Sequence, residues 1–358
     1  MPRAVESANE NPRILLTGWA GAGNIGDELL TEEVVAQVRA GGAVPVVASR
    51  SPVATAALPG VESVPWGPKG RAALSEVNGV CIGPGGILQD SSSLWSLPGH
   101  LFVPALAARR GIPLAAIGVG VEPIRRRSSR WLLRRVLAGR PVVTRDQAST
   151  DALAAVGINA STGVDVVFGR DLPTVERRNE ILVSVGGSVA PGLVSPARRR
   201  IRPAQTAEIV EAVDLLADRL DASVVLARFR GERDASAAQA IAGRLHARSE
   251  VLPDDVGEHV RRVCGSRLVV SSRYHPLVLA ARAGVPSIAV SGQDKVRSLV
   301  GQVGEPLARL HESWREVGSA EIAEITAAAA PPEVAVARDA IADLLSAARA
   351  PRSGGSRD

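Results

Sequence analysis

The chain has 358 residues, 46% of them apolar, 22% charged and 3% aromatic, with a formal net charge of +5. At about 100–200 residues per domain, that length predicts two domains with sizeable cores. No uninterrupted run of about 18 apolar residues occurs, which argues against a membrane-spanning helix. Residues 1–13 lack the basic and apolar regions of a signal peptide, so a cytoplasmic location is expected.

Short β-branched runs alternate with Ala/Leu/Arg-rich helical patterns. Strands are predicted at Arg13–Gly18, Pro45–Ala48, Gly79–Ile82, Leu114–Val119 and Val142–Thr144, with a short one at Asp165–Phe168. Helices are predicted between them at Glu28–Ala40, Leu101–Arg110, Ser129–Ala138 and Ser149–Val156. After the polar break Arg177–Glu180 the pattern restarts, with strands at Ile181–Gly186, Ser223–Ala227, Glu250–Leu252, Leu268–Ser271 and Ser287–Val290. Its helices are predicted at Thr206–Arg219, Ala235–Arg248, Asp255–Val263 and Pro276–Ala283. Such alternation implies parallel strands with crossover helices. The expected fold class is α/β: two doubly wound, Rossmann-like domains facing across a cleft, which resembles the GT-B architecture. The expected division is a flexible N-terminus at 1–12, domains at 13–175 and 176–330, a terminal helix at 331–350 and a disordered tail at 351–358.

Cys81 and Cys264 lie in or beside apolar runs and read as small core hydrophobes. Almost all of the basic residues are arginine; only Lys69 and Lys295 are lysine. The densest basic stretch runs from Arg125 to Arg135. It reads as a nucleic-acid patch, as attraction for an anionic lipid-linked substrate, or as a solvated helix face with Trp131, Leu133 and Val136 turned inward. The low aromatic content leaves no stacking platform, so nucleic acid is not an expected partner. His246 and His259 fall in helical patterns and read as solvated.

In open α/β sheets the ligand crevice lies beyond the carboxyl ends of the strands, which directs attention to the strand-to-helix loops. The first contains Gly21-x-Gly23-x-x-Gly26, the spacing of a dinucleotide fingerprint, and Arg50 at the end of the second strand would suit a 2′-phosphate. Yet three residues separate the strand end at Gly18 from Gly21, whereas the fingerprint glycine makes the turn directly. Asp27 and Glu28 at the helix start also oppose a bound pyrophosphate. The second loop, Gly83 to Ser93, offers Gly85 and Gly86 for close ligand approach, and Gln89 and Asp90 for hydrogen bonds to sugar hydroxyls; a turn capped by Asp90 is the alternative. In the third, Arg145 points toward the cleft or pairs with Asp146, and Asp146 reads as the cap of the next helix. In the fourth, Arg273 and His275 alternate along an extended segment and so share one face, with Tyr274 turned away. A guanidinium there suits a carboxylate or phosphate, and an imidazole transfers protons near neutral pH. No zinc-ligand spacing, nucleophile elbow or Walker motif occurs, and no metal is expected.

Taken in order, these loops resemble the polysaccharide pyruvyl transferase family. The carriers are Gly21 to Glu28 (G-x-x-N-x-G-D-E in the family), Gly83 to Asp90 (G-G-G-x-L-L-Q-D), Arg145-Asp146, and Arg273-x-His275 leading to Ala281–Pro286. Gly118–Pro123 and Asp165–Phe168 also fit, whereas Pro84, Gly99-His100 and Ser271-Ser272 depart from the pattern. The resemblance implies transfer of a pyruvyl group from phosphoenolpyruvate to a sugar hydroxyl pair, forming a ketal, in cell-wall polymer or exopolysaccharide synthesis. Phosphoenolpyruvate is then the donor substrate, with no cofactor, and a glycan or glycolipid is the acceptor, which allows peripheral contact with the inner face of the membrane. Arg145 and Arg273 are expected to clamp the donor and His275 to transfer the proton. Asn24, Gly26, Asp27, Gly85, Gly86, Gln89 and Asp90 are expected to position the acceptor or shape the cleft. Three alternatives remain: a glycosyltransferase using a nucleotide sugar, a non-catalytic sugar-binding relative, and an NADP enzyme.

Overall fold

The computed structural model describes residues 11–91, 93–186, 203–304, 308–319 and 335–350. The first sheet is built from β1 (Arg13–Leu16), β2 (Val44–Ser49), β3 (Glu62–Pro65), β4 (Gly79–Ile82), β5 (Gly85–Leu88), β6 (Leu114–Val121), β7 (Val142–Thr144) and β8 (Ser161–Thr162). Its order is β3-β2-β1-β4-β6-β7-β8, with β5 paired to β6, and every pairing is parallel. Its helices are α1 (Ile25–Ala40), α2 (Pro52–Ala56), α3 (Ser96–Arg109), α4 (Arg127–Leu137) and α5 (Gln147–Ala154). The central strands are buried on both faces and read as unbroken apolar runs, as parallel strands between helical layers must.

The second sheet contains β9 (Glu180–Ser184), β10 (Ser223–Leu226), β11 (Ser249–Val251), β12 (Leu268–Ser271), β13 (Ser287–Val290) and β14 (Ala308–His311) in the parallel order β11-β10-β9-β12-β13-β14. Around it lie α6 (Pro203–Leu220), α7 (Glu232–Ala242), α8 (Val256–Gly265), α9 (Tyr274–Arg282), α10 (Asp294–Val303) and α11 (Trp314–Ser319). Both orders reverse direction once, between β1 and β4 and between β9 and β12. The loops leaving those strands are therefore the ones that border a crevice. They carry Gly18–Asn24, Gly83–Pro84, Val185–Gly186 and Ser272–Arg273.

The two sheets are not independent. One continuous buried cluster runs from Ile14 and Leu29 through Phe168 to Leu252, Tyr274 and Leu277. The amide of Ile25 donates to the Phe229 carbonyl at 2.9 Å, which stitches the start of α1 to the loop after β10. α12 (Ala335–Arg349) follows the second sheet in sequence but packs on the first, burying Ile341, Leu344 and Leu345 against β1, β4 and α1.

Four expectations change. Asp165–Phe168 is not a strand: Asp165 caps a 3-10 turn, Val166–Gly169, by accepting from Val167 N at 3.0 Å. His259 is not solvated but fully buried, edge-on to Phe229 with ring centroids 5.1 Å apart. Trp131 is not inward: it is 66% exposed, and Leu133, Val136 and Leu137 supply the buried side of α4. The second glycine loop is not all loop, because Gly85–Leu88 pairs with β6 as β5. The expected tail at 351–358 lies outside the described residues.

Candidate functional site

Asn24 starts the site. It is the N-cap of α1, accepting from Gly26 N at 3.1 Å, and its Nδ2 donates to Asp27 Oδ2 at 2.5 Å. The cap satisfies an orphan amide of the helix and turns the Asp27 carboxylate along the first turn. Burial pushes the Asp27 pKa up to about 7; Glu28 adds to the rise, while Arg230, Asn24 and Arg145 pull against it. The neighbouring Glu28 is also raised by burial, but its carboxylate accepts from the amides of Gly21, Ala22 and Gly23. The glycine loop that suggested a phosphate cradle is thus filled by the chain's own carboxylate. Arg50, the candidate for a 2′-phosphate, instead lies over the rings of Trp19 and Trp66, at 3.8 and 4.4 Å from their centroids.

Three glycines provide flat beds for functional side chains. A Cβ on Gly26 would stand 2.0 Å from His275 Nδ1, one on Gly120 would stand 2.6 Å from Arg145 Cζ, and one on Gly186 2.4 Å from Arg273 Cζ. Gly85 lies beside Asp27 and Gly86 beside Arg145: a Cβ on each would stand 3.6 Å from Oδ1 and 3.7 Å from Nη2, respectively. The structure therefore brings Asn24, Gly26, Asp27, Gly85, Gly86, Arg145 and His275 together, from loops of both sheets.

Arg145 is 7% exposed. Its Nε donates to Asp146 Oδ2 at 3.3 Å, and its Cζ lies 4.7 Å from the Tyr274 ring centroid. Asp146 also caps α5 by accepting from Ser149 N at 2.7 Å. Burial works against the Arg145 charge, but Tyr274, Asp165 and Asp146 outweigh it and raise its pKa. Tyr274 does not turn away: it is the buried floor beneath Arg145, and burial keeps its phenol well above the ordinary value. Helix α9 begins at Tyr274, with Arg273 as its extended N-cap. Arg273 and His275 thus do not alternate along a strand. Arg273 reaches back to Asp234, donating through Nε at 3.1 Å to Oδ2 and through Nη2 to Oδ1. Asp234 is 1% exposed, so this guanidinium is already engaged in a buried fork.

His275 faces Asp165, Nε2 to Oδ2 at 3.9 Å. Neither atom has a hydrogen-bond partner, although both are buried. Burial, then Arg145 and Lys295, pulls His275 down to about 3, and burial lifts Asp165 to about 6 against the pull of Arg145. The imidazole is therefore neutral near pH 7, and the contact is not an ion pair. Two buried polar atoms left without partners cost about 1–3 kcal/mol each, which a ligand bridging them would recover. Lys295, in the first turn of α10, completes the group. Burial lowers it to about 8; Arg145, Arg230 and Arg273 act in the same direction and Glu122 opposes. The site is thus a cluster of cations from both sheets, with two carboxyl groups whose pKa values are raised toward neutrality.

Gln89 and Asp90 are not part of it. Gln89 Nε2 donates to Ser96 Oγ at 3.1 Å and its Oε1 lies 2.9 Å from Ser91 Oγ. Asp90 is 3% exposed and accepts the amides of Arg125 and Arg126 at 3.2 and 2.8 Å, holding the start of α4. The sequence reading missed Lys295, Arg230 and Asp234 and assigned no role to Asp165. Only Asp165 had a signal, the Asp165–Phe168 segment. Among the described residues, no group of three or more His, Cys, Asp or Glu is placed to hold a metal ion, and no helix is long and apolar enough to cross a membrane.

A family model described as polysaccharide pyruvyl transferase matches residues 24–294. No curated protein matches the chain. Among solved structures, the UDP-GlcNAc 2-epimerase of Neisseria meningitidis bound to UDP-GlcNAc aligns with a TM-score of 0.61 at 11% identity, covering 93% of this chain and 99% of that one. The UDP-GlcNAc 2-epimerase of Methanocaldococcus jannaschii, in complex with UDP-GlcNAc and UDP, gives a TM-score of 0.59 at 10% identity over 93% and 99%. TcCGT1 in complex with UDP gives 0.51 at 12% identity over 97% of each chain. At such identities the likeness is one of fold, and the fold is GT-B: two Rossmann-like sheets.

Proposed function

Because the chain belongs to the polysaccharide pyruvyl transferase family, we propose that it moves the pyruvyl group of phosphoenolpyruvate onto a hydroxyl pair of a glycan. The observation that carries this reading is the cation cluster around a neutral His275. Phosphoenolpyruvate brings a carboxylate and a phosphate, and Arg145 and Lys295 offer charge for both from opposite sheets. Arg273, held by Asp234, contributes field and shape more than a mobile clamp.

His275 is lowered first by burial and then by two cations. An anionic donor seated among those cations offsets their effect and raises the imidazole pKa, so donor binding carries a proton onto His275. That proton goes to the methylene carbon of the donor, and positive charge develops at the neighbouring carbon. One sugar hydroxyl attacks there and gives up its proton, with Asp27 as the acceptor. The carbon–oxygen bond to phosphate then breaks. The second hydroxyl closes the ketal, and its proton leaves with the phosphate. Asp165 faces the Nε2 side of His275 at 3.9 Å, where its carboxylate favours the protonated imidazole once the donor is bound. This chemistry requires no further cofactor.

The same cations would accept the diphosphate of a nucleotide sugar, as the UDP complexes of the fold relatives suggest for a glycosyltransferase reading. Calorimetric titration with phosphoenolpyruvate and with UDP-sugars separates the two. Donor binding with phosphate release and a pyruvate ketal on a glycan acceptor supports transfer. Binding of UDP-sugars alone overturns it.

A further inference from the structure

Between Ser91 and Arg145 the sequence carries ten arginines against one acidic residue, Glu122. That short stretch holds more positive charge than the +5 of the entire chain. Apart from Arg145, these arginines lie outside the cation cluster of the site. The hydrogen bonds of Arg126, Arg130 and Arg134 run to the backbone carbonyls of Asp90, Ile124 and Val156, which leaves the charge of Arg130 and Arg134 in place, whereas the Asp90 carboxylate offsets part of that of Arg126. Glu122, the single acid, accepts from Ser91 Oγ at 2.6 Å.

Apolar side chains crowd the same surface. Four of the seven large apolar side chains exposed among the described residues fall here: Leu94 at 66%, Trp95 at 80%, Phe102 at 37% and Trp131 at 66%. Leu94 and Trp95 lead into α3, Phe102 sits on it, and α3 packs against α4, which exposes Trp131 between Arg127 and Arg135. Asp90, four residues before Leu94, ties this segment to the start of α4 by accepting the Arg125 and Arg126 amides. The exposed Leu94-Trp95 pair and the Arg125–Arg127 run therefore share one end of the domain, at the carboxyl ends of β5 and β6, which is the end that borders the site.

We propose that the α3–α4 surface docks on an anionic bilayer. Tryptophan, phenylalanine and leucine insert at headgroup depth, and arginine forks pair with lipid phosphates. A nucleic-acid partner fits the charge but gives Leu94 and Phe102 no role. Docking at this end sets the mouth of the cleft against the membrane, so the acceptor class is a lipid-linked glycan presented from that bilayer; this last step rests on the transfer reading, while docking itself does not.

The test is flotation of the full chain with vesicles of equimolar phosphatidylglycerol and phosphatidylcholine, and with phosphatidylcholine alone, at about 0.1 M salt. The anionic vesicles are expected to carry the protein and the neutral ones not. Trp95→Ser with Trp131→Ser, and separately Arg127→Glu with Arg135→Glu, are each expected to lower the bound fraction on the order of tenfold. All four residues are exposed, and unchanged melting temperatures establish that the variants fold. No flotation with anionic vesicles overturns the proposal. So does full vesicle binding by the tryptophan pair together with equal or tighter binding to duplex RNA, which would mark a general polyanion surface. No donor or acceptor is present in this assay, so its failure leaves the transfer reading standing, and failed transfer leaves the vesicle result standing.

Discussion

Gly26 and His275 come from opposite sheets and touch so closely that a Cβ on the first would stand 2.0 Å from Nδ1 of the second. The second position after the α1 cap thus sets where the imidazole lies. Gly26→Ala is expected to displace His275 and lower phosphate release from phosphoenolpyruvate on the order of a hundredfold, while costing about 1–3 kcal/mol of stability. Steady-state kinetics and urea unfolding read the two effects separately. A variant with ordinary turnover would show that His275 tolerates the shift and is not the proton donor.

Lys295→Met is expected to weaken phosphoenolpyruvate binding on the order of tenfold to a hundredfold, because it removes a half-buried cation facing an anionic ligand. Lys295→Arg should restore part of the loss. Calorimetry gives the dissociation constants directly, and an unchanged value for Lys295→Met removes the residue from the donor site.

Burial raises Asp27 to about 7 from an ordinary value of 3.8. The folded protein therefore binds this proton more tightly than the unfolded chain does. The contribution is fully present below the unfolded pKa and is lost as pH rises through the folded one, so at pH 8 the fold carries a buried, ionised carboxylate. Asp27→Asn should then raise the melting temperature more at pH 8 than at pH 5, while abolishing most of the transfer activity. Scanning calorimetry at the two pH values checks the sign; an equal shift at both would place Asp27 near its ordinary pKa.

His275 is held down at about 3 by burial and then by Arg145 and Lys295. If an anionic donor relieves that depression, binding at pH 7 takes up a proton. Titrations in buffers of different ionisation enthalpy should give a binding heat that depends on the buffer, and His275→Ala should lose that dependence. Buffer-independent heats for the parent protein would rule out proton delivery coupled to donor binding.

Asp90→Ala leaves two amides at the start of α4 without an acceptor. Each lost bond to a charged group costs about 1.5–3 kcal/mol. A fall in the urea midpoint is expected, with little change in the dissociation constant for a soluble acceptor. A large loss of acceptor affinity at full stability would return Asp90 to the sugar-binding role that its sequence context suggested.

Much of the fold is readable from alternation alone. Gly79–Ile82, Val142–Thr144, Leu268–Ser271 and Ser287–Val290 are apolar runs bounded by turns, and they are strands within the same limits. Glu62–Pro65 gives no such signal, because β3 is an edge strand with a half-exposed, polar sequence. Asp165–Phe168 is apolar enough for a strand, but the cap made by its own Asp165 winds it into a turn. The site follows a similar division. Arg145, His275 and the glycines stand at strand ends, where position alone marks them. Lys295 follows Asp294 in an ordinary helix start, and Asp234 meets Arg273 from 39 residues away; only the packing of two sheets joins them. Asp90 misleads because a carboxylate after a glycine loop has the same sequence signature whether it turns to a ligand or to the backbone.

The last layer of the first sheet is α12, whose Leu344 and Ala348 lie against Gly79 and whose Leu345 presses on Gly41. Those side chains are encoded more than two hundred and fifty residues after the strand and helix end they cover. During synthesis on the ribosome, β1 and β4 emerge long before their cover does. The N-terminal domain leaves the exit tunnel with an apolar strip bare, and it closes only once Ala335–Arg349 has been made. A premature stop ahead of Ala335 would thus be felt first in the domain that had already been made.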